Sequence, residues 1–561
     1  MLARLRGASA WWDAGRAVGV LVGLGAALRL WQYLGNPGLW LDELAVADNV
    51  IGRPLRVLLT QPLADGQVAP PGFLIVSRAM VVAFGPNEYA LRLFPLLCSL
   101  GALLLFARIA TRVLREPGAV LAVALFALTP VVALYAAEAK QYATDLLVTV
   151  GLTELVLRWL EQPTRRRTVA LALSGAIAPF FSQPAVLVAA GLGAALLLGA
   201  PRRERRRLLL PLALWAIAAG ASVLYARARM SSGLLAYMQW FWRDGFLPRP
   251  VTSVEDALWP VRALRDVFQL LLGYPWAWAY LALAGWGLVN LLRRAKVSAL
   301  VVVFPVAITL LAAIVHSYPF LLRLVLFVVP ALLLLVAEGA VSLAELARTR
   351  VAVVLLSLAV AGPVLIELWR SPPVWRLDEV RPVLAELQRR RNPGDAVYAY
   401  YPTWQALRFY GPRYGLGFDA IDLGACHPQD IHDYLRELDR YRGGRVWFLT
   451  AFALARLGER QAMLGYLDAI GVRKDAIEGP PTTRPGMITT REAWTGRPPA
   501  AAYLYDLSDA RRLAAASAET TQVPPAVQIV GVPRCVYGPV VPHVPTIGQS
   551  VGASPPQESA R

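Results

Sequence analysis

Cysteine is scarce in this chain, with three residues among 561. Cys98 lies in an apolar run, which leaves at most one disulfide in the polar C-terminal part. No two cysteines have the CxxC spacing of a zinc site. The sequence therefore excludes both a disulfide-stapled fold and a thiolate zinc centre.

Nucleotide-binding motifs and internal repeats are also missing. The sequence has neither a Walker motif nor a GxGxxG following a strand, which argues against a cytosolic nucleotide-sugar donor. We find no repeat of 20 to 50 residues. Inverted repeats and acids at mid-membrane depth, which are typical of transporters, are not evident in the sequence either.

Apolar residues, in contrast, are abundant. They make up 57% of the chain, and the mean hydropathy is +0.47, which indicates an integral membrane protein. Lysine and arginine number 56 against 38 acids, giving a formal charge of +18. Because these bases cluster between apolar runs, they fit the positive-inside pattern of cytoplasmic loops better than a nucleic-acid surface.

The pattern of apolar runs and basic loops predicts a polytopic α-helical protein. Residues 1–16 form a cytoplasmic N-terminus before a retained signal anchor, and residues 17–370 form the transmembrane module. Residues 73–84 are too short to cross and are predicted to lie at the interface. The eleven predicted spans are 17–34, 89–113, 118–135, 139–159, two within 168–200, 208–225, 267–292, 299–315, 320–339 and 351–369.

Beyond residue 370 the composition changes. Residues 371–512 alternate helical and strand patterns, with strands expected at 395–401, 445–450 and 502–507, and predict a small extracytoplasmic α/β domain. Residues 513–561 are rich in alanine and proline without periodicity, and we expect disorder there.

Three polar groups fall at one predicted membrane face, outside the cytoplasm. They are the pair Asp42 and Glu43, the turn carrying Glu138 and Lys140, and the segment 316–323, which begins at His316 and ends at Arg323. Acids beside hydrocarbon suggest function by default. A carboxylate can activate a hydroxyl group, and arginine and lysine can hold a lipid phosphate. The pattern therefore indicates a transfer reaction at the membrane surface.

Five segments carry a resemblance to a known family. They are LWLDE at 39–43, PP at 70–71, NEYALRLFP at 87–95, LYAAEAKQYA at 134–143 and HSYPFLLRLVLFVVPALLLLVAEG at 316–339. In this order, over about residues 17–370, they resemble the GT-C glycosyltransferases that use polyprenyl-phosphate sugars. The resemblance is greatest to the bacterial branch related to protein O-mannosyltransferases and lipid A aminoarabinose transferases, the glycosyltransferase family 39-like proteins.

The resemblance implies a hexosyl- or pentosyltransferase of the inner membrane, acting on its extracytoplasmic face on an acceptor that is protein, lipid or envelope glycan. Asp42 would be the general base and Glu43 its partner, and Glu138 would orient the acceptor. The implied phosphate ligands are Lys140, Arg92 and Arg323, and the other cavity candidates are Tyr142, His316 and Tyr318. No cofactor is implied with certainty, although a divalent metal could bind Asp42 and Glu138. Family members commonly have His or Lys where this chain has Ala69, so the identity of the substrate is open.

Simpler interpretations of the same residues remain. Asp42 could cap the following helix while Glu43 faces water. Glu138 and Lys140 could form a plain surface ion pair, and Arg323 could reach for headgroups. Two other functions also fit the spans: a transporter or flippase of lipid-linked sugars, and a non-catalytic envelope scaffold.

Overall fold

A computed structural model describes residues 14–427, 430–453, 458–483 and 498–523. Long apolar segments form helices in it, because a helix satisfies its own backbone hydrogen bonds where water is absent. The first eleven helices are α1 Ala14–Leu34, α2 Leu41–Gly52, α3 Leu55–Thr60, α4 Pro71–Phe84, α5 Glu88–Val113, α6 Glu116–Leu128, α7 Pro130–Leu134, α8 Tyr142–Glu161, α9 Arg165–Ile177, α10 Ala185–Gly199 and α11 Leu209–Ala228.

The second half of the helical region contains three short helices and four long ones. The helices are α12 Ser232–Phe241, α13 Val254–Ala257, α14 Trp259–Asp266, α15 Ala277–Arg294, α16 Lys296–Ile314, α17 Val329–Glu345 and α18 Arg350–Arg370. A 3₁₀ segment, Leu322–Val328, leads directly into α17.

Most helices overlap the predicted spans, but the span predicted at 320–339 begins as the 3₁₀ segment and becomes α-helical only at Val329, and the span predicted at 118–135 breaks between α6 and α7. The span predicted at 267–292 begins only at Ala277, because a π-helical turn over Val267–Leu271 and a bend at Gly273 interrupt it. By length and hydropathy, six helices of the described chain can cross a membrane, or seven if α6 and the segment Pro130–Ala137, bent by 54°, form one span. The protein is thus a multi-pass membrane protein, and the count of eleven stays a prediction.

The region after residue 370 is a small α/β domain, as predicted. Its elements are α19 Arg381–Arg390, β1 Ala396–Ala399, α20 Trp404–Tyr410, β2 Asp422–Leu423, α21 His432–Leu438, β3 Arg445–Thr450, α22 Glu459–Ile470, β4 Val472–Glu478, β5 Ala501–Asp506 and α23 Ala510–Ala515. The sheet order is β2-β1-β3-β5-β4, parallel among β2, β1 and β3 and antiparallel at β5 and β4. The predicted tail begins inside α23, and its residues 524–561 lie outside the described residues.

Two large apolar cores organise the molecule. One fills the helical bundle from α5 to α17. The other joins helices α2 and α4 to the α/β domain, with Leu39, Trp40 and Leu44 packed in the same cluster as Leu407 and Tyr410. One core of the α/β domain therefore extends into α2 and α4.

Candidate functional site

The site begins at the first turn of α2. Trp40 precedes the helix in an extended conformation, and its backbone N–H donates to the Glu43 carboxylate at 3.3 Å. The cap is therefore provided by Glu43, because a carboxylate three residues into a helix can reach back to the preceding amide. This leaves the Asp42 side chain directed into a cavity. The interpretation in which Asp42 caps the helix and Glu43 faces water is wrong on both points.

A cavity of about 650 Å³ lies beside Asp42. It is bounded by the loop before α4, the turn before α8, the helices α11 and α12, and the segment that leads into Leu322–Val328. Six of the predicted site residues line it: Asp42, Lys140, Tyr142, His316, Tyr318 and Arg323. The structure thus brings together residues separated by up to 281 positions in the sequence.

Arg323 is the centre of the polar wall. Its Nη2 donates to the Asp42 carboxylate at 2.8 Å, and its Nε donates to the Tyr142 hydroxyl at 2.9 Å. The guanidinium also faces the rings of Trp40 and Trp242, at 5.5 and 5.2 Å from their centroids. Two aromatic faces and one carboxylate therefore hold this cation at the edge of the cavity.

Lys140 supplies the second cation of the cavity. It lies in the turn between α7 and α8, and its ammonium donates to the side-chain oxygen of Gln67. Burial lowers the pKa of Lys140, and the nearby Asp42 carboxylate acts in the opposite direction. The cavity wall thus has one acid, Asp42, and three cations, Lys140, Arg323 and Arg227 of α11, a charge distribution suited to an anionic ligand.

His316 and Tyr318 shape the wall that carries Arg323. The His316 ring stacks on Phe246 at 5.0 Å, and its Nε2 lies 2.7 Å from the Leu247 carbonyl oxygen. The Tyr318 hydroxyl donates to the Leu324 carbonyl at 2.8 Å. Both side chains line the cavity while their polar atoms bond the protein backbone, which indicates a supporting role for them.

Glu43 and Arg92 lie outside this cavity and bind each other. Arg92 donates to the two oxygens of Glu43 at 2.9 and 2.7 Å, and Glu43 also accepts the Ala139 amide at 2.7 Å. The remaining Arg92 donors reach the carbonyls of Pro37 and Gly38. The charges of both side chains are therefore committed to the scaffold around α2.

Glu138 lines a second, much smaller cavity, together with Glu43 and Arg92. Within the described ranges, no group of three or more His, Cys, Asp or Glu side chains could hold a metal ion. Asp42 and Glu138 line different cavities, and Asp42 is bonded to Arg323. The residues present do not fit the metal site predicted between them, and no step below uses one.

Several residues of the site were missed by the sequence analysis. Gln67 binds Lys140, Trp242 covers Arg323, and Tyr237 and Arg227 line the same cavity. The cluster of aromatic residues from 237 to 242 was the available signal, because tryptophan and tyrosine also mark binding sites. A buried acid was missed as well: Asp145 lies in the first turn of α8 and is 6% exposed.

Comparisons with known proteins return only distant structural similarity. No protein-family model and no curated protein matches the chain. Similar solved structures include ArnT from Cupriavidus metallidurans bound to undecaprenyl phosphate, with 12% identity, a TM-score of 0.48, and coverage of 88% of this chain and 98% of that one. The archaeal oligosaccharyltransferase AglB from Archaeoglobus fulgidus, in complex with an inhibitory peptide and a dolichol-phosphate, has 11% identity, a TM-score of 0.47 and coverage of 82% and 73%. No functional residue is transferred from either structure.

Proposed function

We propose that the protein is a GT-C-type glycosyltransferase that moves a sugar from a polyprenyl-phosphate donor to an acceptor on the extracytoplasmic face of the inner membrane. One observation carries the proposal. The Asp42 carboxylate shares a cavity of about 650 Å³ with Lys140 and Arg323. That volume is within the range of small-molecule sites.

The lining of the cavity favours a ligand that is part lipid and part phosphate. Apolar side chains from α11, from α12 and from the link between them, such as Val223, Met238 and Met230, line the same space as Lys140 and Arg323. Hydrocarbon is favourable against the apolar part, and a phosphate is favourable beside arginine and lysine. Trp242 and Tyr237 add aromatic faces of the kind that can contact a sugar ring.

In the proposed reaction Asp42 is the general base. The acceptor hydroxyl transfers its proton to the Asp42 carboxylate as its oxygen bonds to the anomeric carbon. The bond between that carbon and the phosphate oxygen breaks, and the electron pair leaves with the polyprenyl phosphate. Lys140 and Arg323 stabilise the departing anion. Displacement in line inverts the anomeric configuration.

Arg323 connects the two halves of this reaction. Its Nη2 is bonded to Asp42, whereas its Nη1 makes no hydrogen bond within the described part of the chain. A donor phosphate at Nη1 would compete with Asp42 for the cation. Binding of the donor would thus leave the Asp42 carboxylate free to accept a hydrogen bond from the acceptor hydroxyl.

The other predicted site residues receive supporting roles in this proposal. Glu43 and Arg92 hold α2 in place through their ion pair. Glu138 acts on the cavity at a distance, as one of the negative charges that favour the charged form of Lys140. His316 and Tyr318 support the segment that carries Arg323.

Two features favour the extracytoplasmic location. Helix α8 begins at the cavity and ends just before Arg165–Arg167, and α15 ends in the basic pair Arg293 and Arg294, so bases collect at the end opposite the cavity. Cys426 in the α/β domain is disulfide-bonded, which is typical of oxidising compartments.

The test uses the full chain purified in detergent. It would be incubated with a panel of radiolabelled polyprenyl-phosphate sugars and a cell-envelope extract, in parallel with Asp42→Asn. We expect label to be transferred by the wild type and not by the variant. Label bound equally by both proteins with no transferred product would contradict the proposal and favour a transporter or binding protein.

A further inference from the structure

The backbone just before α2 is held by side chains from two different parts of the molecule. From the membrane region, Arg92 of α5 donates to the carbonyls of Pro37 and Gly38. From the α/β domain, Arg381 donates to the Asn36 carbonyl at 2.7 Å. This short segment lies four to six residues before Asp42, so its backbone sets where the first turn of α2 begins.

Two amides of the segment before Trp40 are both bound by the α/β domain. The Gly38 N–H donates to the Glu379 carboxylate at 2.6 Å, and the Leu39 N–H donates to the Tyr410 hydroxyl at 2.8 Å. A Cβ atom on Gly38 would meet the Glu379 carboxylate at 2.7 Å, so this close approach requires glycine. Amides before a helix have no partner within the helix, which makes these external acceptors important.

Glu379 is itself fixed as an ionised acceptor. Arg381 donates to its two oxygens at 2.6 and 2.7 Å. Burial would raise the pKa of Glu379, but the hydrogen bonds from Arg381 and from the Gly38 amide outweigh burial and lower it. The carboxylate therefore remains charged at neutral pH and can hold both partners.

A further contact joins the domain to α1. Gln32 donates to the Trp375 carbonyl at 2.9 Å and accepts the Trp375 amide at 2.8 Å. With Tyr410 in the same apolar cluster as Leu39 and Trp40, the domain and the start of α2 form one packed unit. A rigid connection of this kind transmits any displacement of the domain to α2.

We propose that the α/β domain is a working part of the active site, in which Glu379 and Tyr410 are positioning residues that aim Asp42 into the cavity through the amides of Gly38 and Leu39. The inference rests on the proposed function, because it assigns these residues to the reaction in which Asp42 is the base. It gives the external domain a role in catalysis that does not require any contact with substrate.

The test compares two tyrosine variants of the full chain. Tyr410→Phe removes the acceptor for Leu39. Tyr398→Phe is the matched control, because Tyr398 is a buried tyrosine of the same domain whose hydroxyl bonds Glu437, in a different apolar cluster. Three quantities would be measured on monodisperse protein: turnover at saturating donor, donor affinity, and hydrogen exchange of the peptide covering residues 36–46.

We expect Tyr410→Phe to lower turnover by about 10- to 100-fold, since displacement of a catalytic group by about 1 Å has effects of that size. Donor affinity should change much less than turnover, because Lys140 and Arg323 lie on other segments of the chain. Exchange of the amides at 38–44 should become faster. Tyr398→Phe should leave all three quantities at their wild-type values.

Wild-type turnover or wild-type exchange in Tyr410→Phe would overturn the inference, as would the same loss of turnover in Tyr398→Phe. If Tyr410→Phe fails to fold, the same three measurements are made on Glu379→Gln, with the same expected results. If the wild type transfers no sugar from any donor, the proposed function fails. The exchange measurement then still decides whether the domain holds the segment before Asp42.

Discussion

Asp42 and Glu43 are adjacent in the sequence and have opposite surroundings. The Asp42 side chain is 11% exposed and faces a large cavity. Its ion-pair partner, Arg323, lines the same cavity. The Glu43 side chain is 3% exposed and accepts hydrogen bonds from Arg92 and from the amides of Trp40 and Ala139. Neighbouring residues of a helix point about 100° apart, so two identical charges can serve different purposes. One carboxylate is available to a ligand, and the other holds the backbone.

Asp42 is placed to take part in chemistry, and Glu43 is placed to support the fold. A carboxylate with few protein partners at the wall of a cavity can accept a proton, whereas one that accepts several hydrogen bonds is committed to the fold. The same division applies to the cations. Arg323 and Lys140 line the cavity, and Arg92 is used by Glu43 and by two backbone carbonyls. Substitutions of the cavity residues should therefore lower transfer or donor binding, whereas substitutions of Glu43 or Arg92 should lower stability.

The largest effect is expected from Asp42→Asn. The amide cannot accept a proton, so transfer should fall by about 10³-fold, within the usual range for loss of a general base. The midpoint of thermal unfolding should fall less than in Glu43→Gln, because Asp42 and Arg323 line a cavity and the asparagine oxygen can still accept from Arg323. Transfer rate and thermal unfolding in detergent check both parts, and a variant that retains wild-type transfer would contradict the role of Asp42.

Glu43→Gln should act mainly on stability. It leaves Arg92, whose side chain is 2% exposed, without its counter-charge, and breaking a buried ion pair in this way costs about 3–5 kcal/mol. The midpoint of thermal unfolding should fall clearly, in contrast to Asp42→Asn. An equal fall in both variants would remove the distinction between the two acids.

Lys140→Gln and Arg323→Gln should weaken binding of the donor. Hydrogen bonds to charged groups contribute about 1.5–3 kcal/mol, so each change should raise the dissociation constant of polyprenyl phosphate about 10- to 100-fold. Arg78→Gln is a control, because Arg78 binds the carbonyls of Val50 and Ile51 and lies outside the cavity. If the control weakens binding as much as the two cavity variants, the phosphate site is elsewhere.

The smallest effect concerns Asp65, which lies between α3 and α4 beside Gln405 and Arg408 of the α/β domain. Burial, together with the Asp48 carboxylate, raises the pKa of Asp65 from 3.8 to about 6, against the opposing effects of Gln405, Arg408 and Arg53. The folded state therefore holds this proton more tightly than the unfolded state, and stability falls as the pH rises from about 4 to about 6.

Asp65→Asn should remove that pH dependence and make the protein more stable at pH 7. Asparagine is suitable because residue 65 has a φ of +57°, a conformation that it tolerates well. Thermal unfolding at pH 4, 5, 6 and 7 measures the effect. An unfolding curve with the wild-type pH dependence would show that Asp65 does not titrate in this range.

The sequence predicted the order of the helices and six residues of the cavity. Apolar runs and basic loops determine which turns share a membrane face, so residues as distant as Asp42 and Arg323 could be grouped without a structure. The direction of each side chain could not be predicted. Whether Glu43 or Asp42 faces the cavity depends on Arg92, and the packing of Trp242 over Arg323 depends on the position of α12.

The contacts of the α/β domain were also beyond the sequence. Glu379 and Tyr410 accept hydrogen bonds from amides that lie more than 340 residues away in the sequence, and neither residue belongs to a motif. Only the tertiary fold brings them to Gly38 and Leu39. The sequence could predict the existence of the domain from its composition but not the helices against which it packs.

The most direct test of the central claim is a cryo-electron microscopy map of the protein with bound polyprenyl phosphate. The account predicts density for the phosphate within hydrogen-bonding distance of both Lys140 and Arg323, in the cavity that Asp42 lines. Phosphate density beside Arg92, or at the basic loops opposite the cavity, would contradict it.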